Sequence, residues 1–193
     1  MSKGQAEVDR IYHPGRNRIW SKRSLTRSEI ATYATHRKAW RQLIESGHDA
    51  ALVLEDDFLI TDQASVQNCL ERFTELLSDG RNLIKLFDFP NRSKSERGRS
   101  AEVAGIRLTK WYRPRAGMVA YLISRDGAER LLARERVFRV VDEDIKYFWE
   151  LGLDIWSMPG NPVEDNGEAL GGSLLTAARD GNRQRHLGQS IKG

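Results

Sequence analysis

A single cysteine, Cys69, stands in a chain of 193 residues, which excludes an internal disulfide and any zinc site built from several cysteines. Packing on a helix, in a protein of a reducing compartment, is its expected role. No apolar run approaches the roughly 20 residues that span a bilayer, and the N-terminus lacks the apolar core of a signal peptide. The expected location is therefore cytoplasmic, with contact at the inner membrane face. Neither an internal repeat nor the interleaving of aromatic and basic residues that marks a nucleic-acid surface is present. What the chain does hold is ordinary for one globular domain: 39% hydrophobic and 30% charged residues. Lys and Arg exceed Asp and Glu by 31 to 27, a net charge of +4 with a pI near 9.3. That balance suits an anionic partner such as a nucleotide diphosphate, an acidic glycan, a membrane surface or nucleic acid, without choosing among them.

The most informative stretch is ALVLEDDFLI. Ala51, Leu52, Val53 and Leu54 read as a strand buried on both faces, running straight into Glu55, Asp56 and Asp57. Side chains alternate along a strand, so Glu55 and Asp57 are expected to point one way and Asp56 the other. Such a pair can share one hard cation seated on a diphosphate. The same acids could equally solvate a strand end or cap the next helix.

Along the chain, residues 1–24 are polar and basic and read as an irregular arm with a turn at Pro14-Gly15. Thr26-Arg27-Ser28-Glu29 has the form of a capping box. It opens a helix through Ile30, Tyr33, Ala34, Trp40, Leu43 and Ile44 that stops at Gly47, with His36 one turn from Tyr33 and Trp40. Asp62 caps a second helix, whose Val66, Leu70, Phe73 and Leu77 form an apolar core stripe. Residues 83–87 read as a buried strand ending at Asp88, with Lys85 either snorkelling to an edge or contacting phosphate. Residues 91–102 read as a mobile loop, 107–112 as a short strand, and 118–123 as a strand followed by a helix capped by Ser124. Asp142 caps a helix through Ile145, Phe148, Trp149 and Leu151, and 153–158 form the last strand. The organisation is an arm (1–24), one α/β domain (25–166) and a polar tail (167–193), with a mostly parallel sheet whose strand C-terminal ends carry the site.

Several blocks are similar to the family 25 glycosyltransferases, the lipopolysaccharide-biosynthesis and collagen-modifying sugar transferases. They are Leu25-Thr26-Arg27-Ser28-Glu29-Ile30, Thr35-His36 with Trp40, Ala51 to Asp57, Ile84-Lys85-Leu86, the Gly117 to Ser124 strand with Gly127-Ala128 and Leu131-Leu132, and Val141-Asp142. Each block is modest, and their collinear order is specific. The resemblance implies a GT-A-like, Rossmann-type mixed sheet with flanking helices, lacking the family's first strand because only residues 1–24 precede the Leu25 block. It also implies a nucleotide-sugar donor, often UDP-galactose or UDP-glucose, a lipopolysaccharide or related glycan acceptor, and Mn²⁺ or Mg²⁺. Carried over, Glu55 and Asp57 become metal ligands and His36 takes the family's Ser-His position as a substrate contact; Asp56, Lys85 and Asp88, near the same strand ends, are further candidate substrate contacts. Asp142 or Asp144 becomes the base that inversion at the anomeric carbon requires. N-capping for the two aspartates, and a packed histidine for His36, remain the structural alternatives.

Two other readings accompany the transferase. A shortened relative could keep the scaffold and serve as a glycan- or protein-binding module, its exposed strand edge covered by the arm or by a homodimer. A metal-dependent nuclease would also place acids at strand ends, but no nucleic-acid motif supports one and no nucleic-acid partner is expected.

Overall fold

The computed structural model describes residues 10–21, 23–90 and 97–167. Part of the expected mobile loop (91–96) and nearly all of the expected tail (168–193) lie outside the described residues.

The expected irregular arm contains a helix, α1 (Pro14–Trp20). Pro14 takes the first helical position, where a missing N–H removes no intrahelical bond, and His13 Nδ1 accepts from the Arg16 N–H. The long helix α2 (Arg27–Ser46) begins and ends as its sequence dictates. Thr26 Oγ1 accepts from the Glu29 N–H at 3.2 Å, Glu29 Oε2 accepts from the Thr26 N–H at 2.9 Å, and Gly47 terminates the helix at φ +78°.

Next come β1 (Ala50–Leu54), β2 (Phe58–Ile60), α3 (Gln63–Glu71), α4 (Phe73–Leu76), β3 (Leu83–Lys85), β4 (Gly98–Val103) and β5 (Ile106–Trp111). The chain closes with β6 (Ala120–Ser124), α5 (Arg125–Leu132), α6 (Val141–Asp144), a 3₁₀ segment (Ile145–Glu150), β7 (Ile155–Ser157) and β8 (Val163–Asp165). The helix expected from Asp62 to about residue 79 breaks at Arg72 (φ −118°, ψ 19°), which rotates the stripe. Val66, Cys69 and Leu76 are buried, whereas Leu70 and Phe73 are exposed rather than core. Asp142 is inside α6 and not its cap, which is Val140.

The main sheet has the order β1-β6-β3-β7-β5-β4, and β2 pairs with β8 separately. The mixed α/β architecture with flanking helices is as expected, but the sheet is mostly antiparallel, with β3 and β7 the parallel pair. The physical reason is insertion. The crossover through α3 and α4 does make β1 and β3 run the same way, yet β6 slots between them, antiparallel to both. The C-terminal ends of β1, β3 and β7 therefore still point to one side.

Strand alternation divides the core cleanly. Leu83, Tyr121, Ile123 and Ile155 face Tyr33, Trp40, Ala128 and Leu131 of α2 and α5. Ile84, Leu122 and Trp156 face Val66, Cys69 and Leu76 of α3 and α4. Gly127 lets α5 approach β3 closely, since a Cβ there would lie 2.6 Å from the Asn82 carbonyl oxygen. The buried Cys69 thiol is pushed up to about 12 by desolvation, which makes it an inert packing residue.

β1 is half-buried rather than enclosed, because it is an edge strand. The Glu55 N–H donates to Val119 O and the Arg125 N–H to Asp49 O, both at 2.8 Å. Alternation then turns the peptide groups of Ala51 and Val53 toward β6 and those of Ala50, Leu52 and Leu54 outward. Among the described residues no strand pairs with that outer row. A groove of about 400 Å³ runs there, between β1 and Ala39, Gln42, Leu43 and Ser46 of α2.

Candidate functional site

Glu55 follows β1 directly, outside the strand, and Asp56 and Asp57 form the turn into β2. The alternation expected of a continuing strand does not apply there, and each acid takes its direction from a different neighbour.

Glu55 turns to α2. His36 Nε2 lies 2.9 Å from Glu55 Oε1, and His36 Nδ1 lies 2.9 Å from the Tyr121 hydroxyl, which also receives the Trp40 Nε1–H at 2.9 Å. Indole nitrogen can only donate, so the Tyr121 oxygen accepts from Trp40 and keeps its proton and a second lone pair for His36 Nδ1. An ionised carboxylate can only accept, so His36 Nε2–H donates to Glu55. Tyr121 and Trp40 are fully buried and His36 nearly so, making a rigid relay from core to surface acid.

Asp142 completes the group. It is half-buried on α6, close enough to Glu55, His36 and Lys85 for their charges to act on it. Burial first and the Glu55 charge second push its carboxyl above the ordinary range, with a backbone hydrogen bond, His36 and Lys85 opposing.

Asp57 sits against the end of β8 and the residues after it. Its carbonyl accepts from the Asn166 N–H at 2.8 Å, and its carboxylate lies against Gly167, beside Asp165. Burial, then the charges of Asp165 and Glu55, push its pKa up, and Asp57 Oδ1 is buried with no hydrogen-bond partner. Asp56 is exposed on the turn. Among the described residues, no three histidine, cysteine or carboxylate side chains converge to hold a metal ion by themselves.

Three of the sequence-derived residues turn inward. Lys85 neither snorkels nor faces open solvent: it is fully buried, paired with Asp88 Oδ1 and donating to the carbonyls of Arg115 (2.8 Å) and Ala116 (3.0 Å). All three of its protons are engaged. Asp88 accepts on its other oxygen from Trp111 Nε1 at 2.9 Å, and its backbone is clasped by Asn161, so the pair is an internal brace beneath the site. Asp144 is enclosed by Arg134 (2.7 Å), Arg139 (3.2 Å) and the Tyr33 hydroxyl (2.7 Å), with Glu150 joining both arginines. That network leaves Asp144 no oxygen directed at a ligand.

Tyr121, Trp40 and Asp165 belong to the site's surroundings without having stood out in the sequence as functional. Tyr121 sits in an apolar strand and Trp40 in an apolar stripe, so both read as core. Asp165 is brought to Asp57 by the pairing of Phe58 with Asp165 in the small sheet, a contact no local pattern announces.

The geometry thus defines a mixed α/β domain whose acids gather where β1 and β3 end, on the side of the sheet where α/β domains hold their ligands. The family model of glycosyltransferase family 25 (LPS biosynthesis protein) matches residues 2–145, and the chain belongs to that family. No curated protein matches it.

Proposed function

We propose that the chain transfers a hexose from a nucleotide-diphosphate sugar, UDP-galactose or UDP-glucose, to a hydroxyl of a lipopolysaccharide or related glycan. The observation that carries this reading is the position of Asp142, a half-buried carboxyl raised in pKa beside the Glu55–His36 pair. A base tuned toward neutrality is suited to accept a hydroxyl proton. In the step proposed, the acceptor oxygen bonds the anomeric carbon and passes its proton to Asp142. The bond from that carbon to the donor phosphate breaks, and the diphosphate leaves with the electron pair.

Glu55, oriented by His36, is assigned to hydrogen-bond a sugar or acceptor hydroxyl through its remaining oxygen. Asp56 contacts substrate from the solvent side, and the Lys85–Asp88 brace fixes the floor. The residues present also fit a divalent cation. The orphaned Asp57 Oδ1, with Asp165 and Glu55 close enough to raise its pKa, is a concentration of negative charge that Mn²⁺ or Mg²⁺ would relieve. Asp57 and Asp165 would hold the ion, with donor oxygens completing its coordination. When bound it would neutralise the departing diphosphate.

Calorimetry with UDP and Mn²⁺ tests the reading. Wild type and Asp142→Asn should bind UDP alike, Asp57→Asn should lose the metal-dependent part, and only wild type should turn over a UDP-hexose. Absence of UDP binding at millimolar concentration, or full turnover by Asp142→Asn, would remove the proposal.

A further inference from the structure

Helix α1 is inverted relative to a helix that serves only its own core. Its buried residue is polar: Asn17, 1% exposed, donates from Nδ2 to Phe138 O at 2.9 Å and accepts on Oδ1 from the Tyr12 hydroxyl at 3.0 Å. Ser21 Oγ adds a bond to the same carbonyl at 3.2 Å, and Ile11, just ahead, is in the core. With the helix pinned on that side, its two large apolar residues, Ile19 and Trp20, project outward at 75% and 62% exposure. Ile19, two positions on from Asn17, points away from those contacts, and Trp20, one turn on from Asn17, ends the helix exposed beside them.

The charge around them is mostly positive, Arg23 being paired with Glu29. Residues 10–28 contain Arg10, Arg16, Arg18, Lys22, Arg23 and Arg27 and no carboxylate. Arg16 and Arg18 are exposed on α1 itself, flanking Asn17 and adjoining the apolar pair. Guanidinium groups bind phosphate oxygens, and a tryptophan beside an aliphatic side chain favours the boundary between headgroups and acyl chains. Two side chains offer much less than the roughly 1,000 Å² that a stable protein interface buries, so a second copy of the chain is a poor occupant. A soluble anionic glycan would engage the arginines and leave Ile19 without a partner.

We propose that α1 is a membrane-surface anchor, with Ile19 and Trp20 entering the headgroup region of an anionic bilayer while Arg16 and Arg18 contact lipid phosphates. Among the described residues no helix is long and apolar enough to cross a membrane, so the contact is one of lying on the surface. The anchor does not depend on the transfer chemistry, and its test reads no turnover.

The test is co-sedimentation of the full chain with vesicles of phosphatidylcholine alone and of an equal mixture with phosphatidylglycerol. Wild type should pellet with the mixture at about 0.1 M salt, lose binding as salt rises, and ignore the neutral vesicles. Arg18→Glu should weaken binding at least about fivefold, the effect of one basic residue near an anionic surface. Ile19→Ser with Trp20→Ser should weaken it tenfold or more, as two apolar side chains leave the interface. Trp149→Ser, removing an exposed tryptophan on the 3₁₀ segment, should change nothing, and circular dichroism should show every variant folded. Failure of wild type to bind the mixture, equal binding to neutral vesicles, or equal loss in Trp149→Ser would overturn the proposal. So would lipid-free self-association that disappears in the Ile19/Trp20 double variant, which would assign the patch to a second copy.

Discussion

Replacing Tyr121 by phenylalanine isolates the relay that orients His36. The ring keeps its volume and its place in β6, and only the hydroxyl is lost, so no cavity forms. Two buried groups lose their partner together: the Trp40 indole N–H and His36 Nδ1, each 2.9 Å from the missing oxygen. A buried polar group left unsatisfied costs about 1–3 kcal/mol, so with two of them the variant should lose about 2–6 kcal/mol. Burial raises the Tyr121 pKa far above its ordinary value, so the phenol keeps its proton in the wild type. With a urea m-value of about 2 kcal/mol/M, the unfolding midpoint should fall by about 1–3 M. Tyr33→Phe is the internal comparison. It removes a bond to Asp144, which retains Arg134 and Arg139, and should cost only about 1 kcal/mol. Nitrogen NMR on the wild type should find the His36 proton on Nε2. A loss below about 0.5 kcal/mol for Tyr121→Phe, or a larger loss for Tyr33→Phe, would refute the relay.

Asp142→Asn should be more stable than wild type at pH 7. The carboxyl is held above its ordinary 3.8, so between 3.8 and the raised value the native state keeps a proton that the unfolded chain has released. Above both values the buried charge is a standing cost that the asparagine lacks. Stability from this residue is therefore greatest below 3.8 and declines as pH rises through the window above it. Thermal melts should show the variant's advantage shrinking toward acid, by about 1.4 kcal/mol for each pH unit crossed within that window; a variant less stable than wild type at pH 7 would contradict the argument. Asp144→Asn should behave oppositely and lose about 3 kcal/mol in urea titration, because Arg134 and Arg139 are left buried with only Glu150 to share. Gly127→Ala should cost about 2 kcal/mol by driving a methyl into the Asn82 carbonyl; an unchanged melting temperature would mean that α5 shifts freely.

Local signals carried much of the fold into view. The Thr26–Glu29 box and Gly47 bounded α2 because each acts within one turn of the chain, and apolar runs marked β1, β3, β5, β6 and β7 for the same reason. Sheet order was hidden because β6 enters between β1 and β3 through loops that no periodicity describes. Helix α1 was missed because Pro14 reads as a turn when it is the first helical residue, and because the helix presents polar Asn17 inward. Asp142 and His36 entered the candidate site through family likeness, and the structure brings both beside Glu55. The mutual neutralisation of Lys85 and Asp88 and the enclosure of Asp144 depend on partners distant in sequence, including Arg115, Trp111 and Tyr33.

The outward row of peptide groups on β1 has a practical consequence. Ala50, Leu52 and Leu54 present an unguarded strand with neither proline nor lysine within it, the kind of rim on which copies can stack into fibrils. Concentrated stocks should turn turbid on standing, and a gatekeeper at the exposed side chain of the row, Leu54→Lys, should lengthen shelf life. If that substitution leaves the rate of turbidity unchanged, the haze begins elsewhere on the molecule.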